Sequence, residues 1–103
     1  MDARIRFDIE MLRFIHGPSH GWLMVPKPEY DASGYKASRF SFESPEYVYL
    51  EEDCDAAGYL DAAEIDYRDE SKITDVHIVD ETIVRQHPNM SGEGFISPFA
   101  KRN

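Results

Sequence analysis

The chain has 103 residues, 42% of them hydrophobic, with six Phe, six Tyr and one Trp. That is enough apolar material for one modest core, and it excludes a wholly disordered chain. The formal charge of −9 is unevenly placed: Glu43 to Glu81 holds fourteen acids against Arg68 and Lys72, a net −12, while the flanks net +3. An acidic centre argues against direct nucleic-acid binding, which needs cations for the phosphates. No apolar run approaches the ~18 residues that span a bilayer.

Arg4, Asp8 and Glu10 interrupt the opening segment, so no signal-peptide pattern appears and the cytosol is the expected location. A single cysteine builds no disulfide framework. One α+β domain is expected, with a small antiparallel sheet of four to five strands and one short helix.

In chain order, Ile5, Phe7, Ile9 and Met11 alternate with charged residues, which predicts a half-buried strand. Leu12 and Phe14 continue on the other parity, and a β-bulge at Met11–Leu12 would keep both sets facing the core. A helix is the rival, since Ile5, Ile9 and Leu12 also fit helical spacing. His16 to Gly21 reads as a turn, and Trp22-Leu23-Met24-Val25 as the return strand, stopped by Pro26 and Pro28. Residues 27–38 form a polar connection with one helical turn at Pro28–Ala32. Phe40 and Phe42 alternate with polar residues as a further strand, and Ser44-Pro45 turns the chain into Tyr47-Val48-Tyr49-Leu50. In that strand the two tyrosines share one face, and Val48 and Leu50 the other.

Glu51-Glu52-Asp53-Cys54-Asp55 then crowds four carboxylates around one thiol. Ala56, Tyr59, Leu60 and Ala63 follow at helical spacing, with Asp53 or Asp55 as the expected N-cap. Ile73 to Val84 is β-branched with a charged break at Asp80-Glu81, so it is one long bent strand or two short ones. From His87 to Asn103, Pro, Gly, Ser and Asn predict an irregular tail.

His16, His20, Cys54, Asp53 and Asp55 are all metal-ligand types, which raises a small metal-dependent enzyme as an alternative reading. Gly17-Pro18 prevents the helix that gives His-x-x-x-His its usual meaning, so exposed turn histidines are the commoner outcome. Counting from Asp53, Gly58 and Glu64 fall where an EF-hand needs them. Ala57 and Tyr59 occupy ligand positions, however, and the loop fails. Cys54 is a poor nucleophile, because surrounding carboxylates repel a thiolate; a small buried cysteine is expected. Paired carboxylates for glycoside chemistry need an enclosed cleft that so small a domain rarely offers. No catalytic residue, cofactor site or metal site is assigned.

His20-Gly21-Trp22-Leu23 followed by Val48-Tyr49-Leu50-Glu51-Glu52-Asp53-Cys54-Asp55 resembles a group of small uncharacterised proteins encoded by bacteriophages and plasmids. In that group a Pro-Gly-His-Gly-Trp-Leu turn and strand precedes the same acidic unit and a helix. The resemblance covers about Pro18 to Ala63. This chain departs from it at Ser19, in its Phe40-Ser41-Phe42 pattern and in a longer N-terminal strand. The resemblance implies a mobile genetic element expressed inside a bacterium, and it carries over no catalytic role.

The acidic face is the remaining functional signal, with Glu51, Glu52, Asp53, Asp55, Asp61, Glu64, Asp66 and Asp69 as candidate partner-binding residues. Carboxylates at such spacing imitate nucleic-acid phosphates and suit a host protein with a basic surface, although a charge run is more often only a solvated face. A modulator or inhibitor of a host factor is therefore the leading expectation, and a minor virion component a third. Crowded acids also predict raised carboxyl pKa values, hence a gain in stability on mild acidification and with added salt.

Overall fold

The computed structural model describes residues 12–90. Five strands form one mixed sheet: β1 (Leu12–His16), β2 (Gly21–Pro26), β3 (Phe42–Glu43), β4 (Tyr47–Glu51) and β5 (Ile73–His77), in spatial order β3-β4-β2-β1-β5. Among the described residues three short α-helices accompany them where one was expected: α1 (Lys27–Ser33), α2 (Ala57–Ala62) and α3 (Thr82–Arg85). The fold is α+β, as expected.

The predicted hairpin at His16–Gly21 joins β1 to β2, with Phe14 opposite Leu23, and it is closed by the Gly17 amide donating to the His20 carbonyl at 2.8 Å. β2 then pairs antiparallel with β4, Leu23 opposite Leu50. The two antiparallel steps from β1 to β2 to β4 leave β4 running the same way as β1. β5 pairs parallel with β1, His16 opposite His77, so the sheet is mixed where an antiparallel one was expected. A parallel return needs a crossover of a dozen or more residues, and residues 52–72, including α2, supply it.

Strand alternation sorts the core into two layers. On one face Leu12, Leu23, Val25, Val48 and Leu50 pack beneath Tyr30 of α1 and Tyr59 and Leu60 of α2. On the other, Ile15, Trp22, Phe42 and Tyr49 pack with Val84 of α3. Val48 and Leu50 are fully buried and Tyr49 nearly so, so β4 contributes to both layers. Each such aliphatic side chain contributes about 1.5–3 kcal/mol through burial.

Four local expectations change. Phe40 is an exposed turn residue, and β3 begins only at Phe42. The helical turn at Pro28–Ala32 is the seven-residue α1, with Pro28 in its first turn and Gly34 in a left-handed conformation (φ 79°) at its end. Ile83 and Val84, read as strand, are helical: the Asp80 carboxylate accepts the amide and hydroxyl of Thr82, a local turn that starts α3 instead. The tail is tied to the sheet by the Met90 amide donating to Ser41 O and by an isolated bridge from Asn89 to Phe42. The Ile5–Met11 strand, with its bulge, and positions 91–103 of the tail lie outside the described residues.

Candidate functional site

The acidic turn splits into parts with different jobs. Glu51 ends β4 and its carboxylate accepts the Cys54 amide at 2.9 Å, so Glu51 caps the turn rather than Asp53 or Asp55. Residues Glu52–Ala56 wind as one wide π-helical turn before α2 begins.

Asp55 faces inward and is only 2% exposed. It accepts hydrogen bonds from Tyr35 Oη (2.9 Å), Ser38 N (3.0 Å), Ser38 Oγ (2.7 Å) and Ser41 Oγ (2.5 Å). Ser41 Oγ in turn accepts the Glu51 amide at 2.9 Å. A buried carboxylate needs such donors, and Asp55 uses them to tie the loop between α1 and β3 to the acidic turn. Burial, with the Asp55 hydrogen bond, pushes the Tyr35 hydroxyl well above the ordinary phenol range. Gly58 permits this arrangement, because a Cβ there would stand 2.7 Å from Tyr35 Cε1. Asp55 is therefore structural and unavailable to a partner.

Beside α2 lies a groove of about 490 Å³. Phe14, Ala56, Leu60 and Ile65 supply apolar walls, and Glu52, Asp61 and Asp66 are the acids that line it. Tyr67, 70% exposed, lines it as well, with the Arg68 guanidinium 5.4 Å from its ring centroid. Arg68 is already engaged: its Nε donates to Asp66 Oδ1 at 3.2 Å. The backbone amide and then the side chain of Arg68 hold the Asp66 carboxyl below its usual range. Glu52 and Asp61 are exposed and pair with no group among the described residues.

The other candidate acids disperse. Asp53 lines a separate recess of about 210 Å³ with His20, Trp22, Cys54 and Arg85. Glu64 is exposed on a left-handed backbone (φ 60°), and Asp69 is half-buried, accepting the amide and hydroxyl of Ser71. Three of the eight predicted residues thus come together at the groove.

The histidine turn does approach the acidic turn, since His20 shares that recess with Asp53 and Cys54. His16, by contrast, bonds Asp75 at 2.9 Å and stacks on His77 with ring centroids 4.7 Å apart. Among the described residues no group of three His, Cys, Asp or Glu is placed to hold a metal ion. Cys54 is exposed rather than buried, because the wide turn swings it outward while Asp55 takes the interior. Desolvation, then the Glu51 hydrogen bond and the neighbouring Asp55 and Asp53 charges, push its thiol up. That direction agrees with the electrostatic case against a nucleophile.

Glu81 is the residue that sequence reasoning missed. Its carboxylate accepts the amides of Ser19 (2.7 Å) and His20 (3.0 Å), the Ser19 hydroxyl and Arg85 Nε (3.2 Å). These donors, the Ser19 amide first, hold its carboxyl down to about 2. Asp69 and Asp80 are lowered in the same way by Ser71 and Thr82. Crowding was expected to raise carboxyl pKa values, but at Asp66, Asp69, Asp80 and Glu81 local donors outweigh like-charge repulsion.

The fold and the groove together define a small acidic α+β domain, and among its described residues no helix is long and apolar enough to cross a membrane. Comparison with protein-family models, with curated proteins and with solved structures finds no match to this chain.

Proposed function

We propose that this protein is a non-catalytic interaction module from a mobile genetic element, one that binds a basic surface of a bacterial host protein and modulates or inhibits it. The observation that carries this reading is the coincidence of two features at one place. Glu52 and Asp61, carboxylates without a counter-ion among the described residues, line the same groove as Phe14, Leu60 and Ile65. A charge run that only solvates a surface has no need of an apolar recess beside it. Carboxylates without partners steer a cationic surface into encounter, and the recess supplies area to bury once it arrives.

The test is capture on the immobilised chain from a bacterial lysate at low and at high salt, with a Glu52→Lys/Asp61→Lys variant alongside. A basic protein retained at low salt, released by high salt and absent from the variant supports the reading. Retention that ignores both salt and the charge reversal contradicts it.

A further inference from the structure

We infer that the groove beside α2 is a docking site for a short segment of a partner protein in which one large apolar side chain is flanked by Lys or Arg. This rests on the interaction-module reading and names the chemistry of its partner. The apolar walls, from Phe14, Ala56, Leu60 and Ile65, line an open groove of about 490 Å³, a volume large enough to seat one anchor side chain. Such anchors carry most of the energy of a protein interface. Ala57 also lines the groove and is exposed, so nothing bulky of its own fills that side.

Charge selects the occupant. Among the described residues, the acids lining the groove are Glu52, Asp61 and Asp66, and the cation there, Arg68, is spent on Asp66. Glu52 and Asp61 have no counter-ion among the described residues, and they line the same groove as the apolar walls. A neutral or acidic segment would leave Glu52 and Asp61 desolvated and unpaired, whereas Lys or Arg next to the anchor satisfies them. A second copy of this chain is disfavoured by the same argument, because the chain carries a formal net charge of −9.

The experiment is selection of short random peptides from a displayed library against the full chain and two variants. Ala57→Gln fills the groove without changing charge, at an exposed helical position. Glu52→Gln/Asp61→Asn removes charge and leaves the apolar walls intact. The wild type is expected to enrich peptides bearing an aromatic or long aliphatic residue next to Lys or Arg. Their affinity should fall about tenfold or more on Ala57→Gln. The charge-neutral double variant should keep the apolar preference and lose the basic one. Basic peptides with no apolar preference, bound equally by Ala57→Gln, would overturn the groove assignment while sparing the acidic-face reading. Absence of any basic peptide would overturn both. Self-association in sedimentation experiments that Ala57→Gln abolishes would make a second copy the occupant and overturn the proposal.

Discussion

The Glu81 carboxylate accepts the amide of Ser19 at 2.7 Å and its hydroxyl at 3.0 Å, across 62 positions of sequence. This contact fastens the β1–β2 turn to the segment that enters α3. Gly17 makes room for it, because a Cβ there would stand 2.7 Å from Glu81 Oε2. Arg85 completes the clamp: it donates to Glu81 through Nε, approaches His20 Nδ1 at 2.8 Å through Nη2, and covers the Trp22 ring at 5.2 Å.

Acid should therefore weaken the fold. The folded Glu81 carboxyl titrates near 2, against an ordinary value of 4.5, with Asp66, Asp69 and Asp80 also lowered. Groups with depressed folded pKa values contribute stability that is complete above the unfolded value. That contribution disappears as pH falls through the folded one. Melting temperature should hold above about pH 5 and drop steadily between about 4.5 and 2. Glu81→Gln should lower the plateau and flatten this acid limb. An unchanged acid limb in the variant would mean that the clamp is not its source.

Replacing Asp55 should damage folding rather than binding. Asp55→Ala leaves the Tyr35, Ser38 and Ser41 donors without their acceptor. Ser41 is buried and Tyr35 and Ser38 are half-buried; a fully buried donor left unpaired costs about 1–3 kcal/mol and a half-buried one less, so a total of roughly 3 kcal/mol is expected. Tyr35→Phe removes one donor and keeps the ring, at about 1 kcal/mol. Chemical denaturation measures both, and equal small losses would contradict the assignment of Asp55 as the hub.

Gly58→Ala opposes two effects. Alanine in a helix is favoured over glycine by about 1 kcal/mol. The new methyl group would meet Tyr35 Cε1 at 2.7 Å and Oη at 2.9 Å, and that ring is held by its bond to Asp55. Overpacking of this kind costs about 1–3 kcal/mol, so net destabilisation is expected. A raised melting temperature would mean that Tyr35 moves aside freely.

Leu50→Ala, in the fully buried centre of β4, should cost about 2–5 kcal/mol. Val79→Ala, at a site 93% exposed, should change stability by no more than about 0.5 kcal/mol. Similar denaturation midpoints for the two variants would place the core elsewhere.

Much of this was legible along the chain, because short-range periodicity is a local property. The alternation of Tyr47-Val48-Tyr49-Leu50 and the spacing of Ala56, Tyr59 and Leu60 both describe the faces that pack. Asp55 had a signal that charge concealed: it lies four residues before Tyr59, on the buried side of the same helical run. Ile83 and Val84 looked like strand by composition, although Asp80 two residues before Thr82 is a turn signal. The Glu81 clamp and the parallel pairing of β5 join distant segments, and no local pattern encodes them. Of the acidic face, sequence reasoning could list the carboxylates but not their directions. The wide turn after Glu51 sends Asp55 inward, Asp53 to the His20 recess and Glu52 to the groove.

The central claim is that Glu52 and Asp61, together with the apolar groove, engage a basic partner. The most direct measurement is the affinity of the captured protein for the wild-type chain and for Glu52→Gln/Asp61→Asn across a salt series. The wild type should bind more tightly at low salt and weaken steeply as salt is added, while the double variant binds less tightly with a shallower dependence. Equal affinities and equal salt slopes for the two proteins would contradict the account.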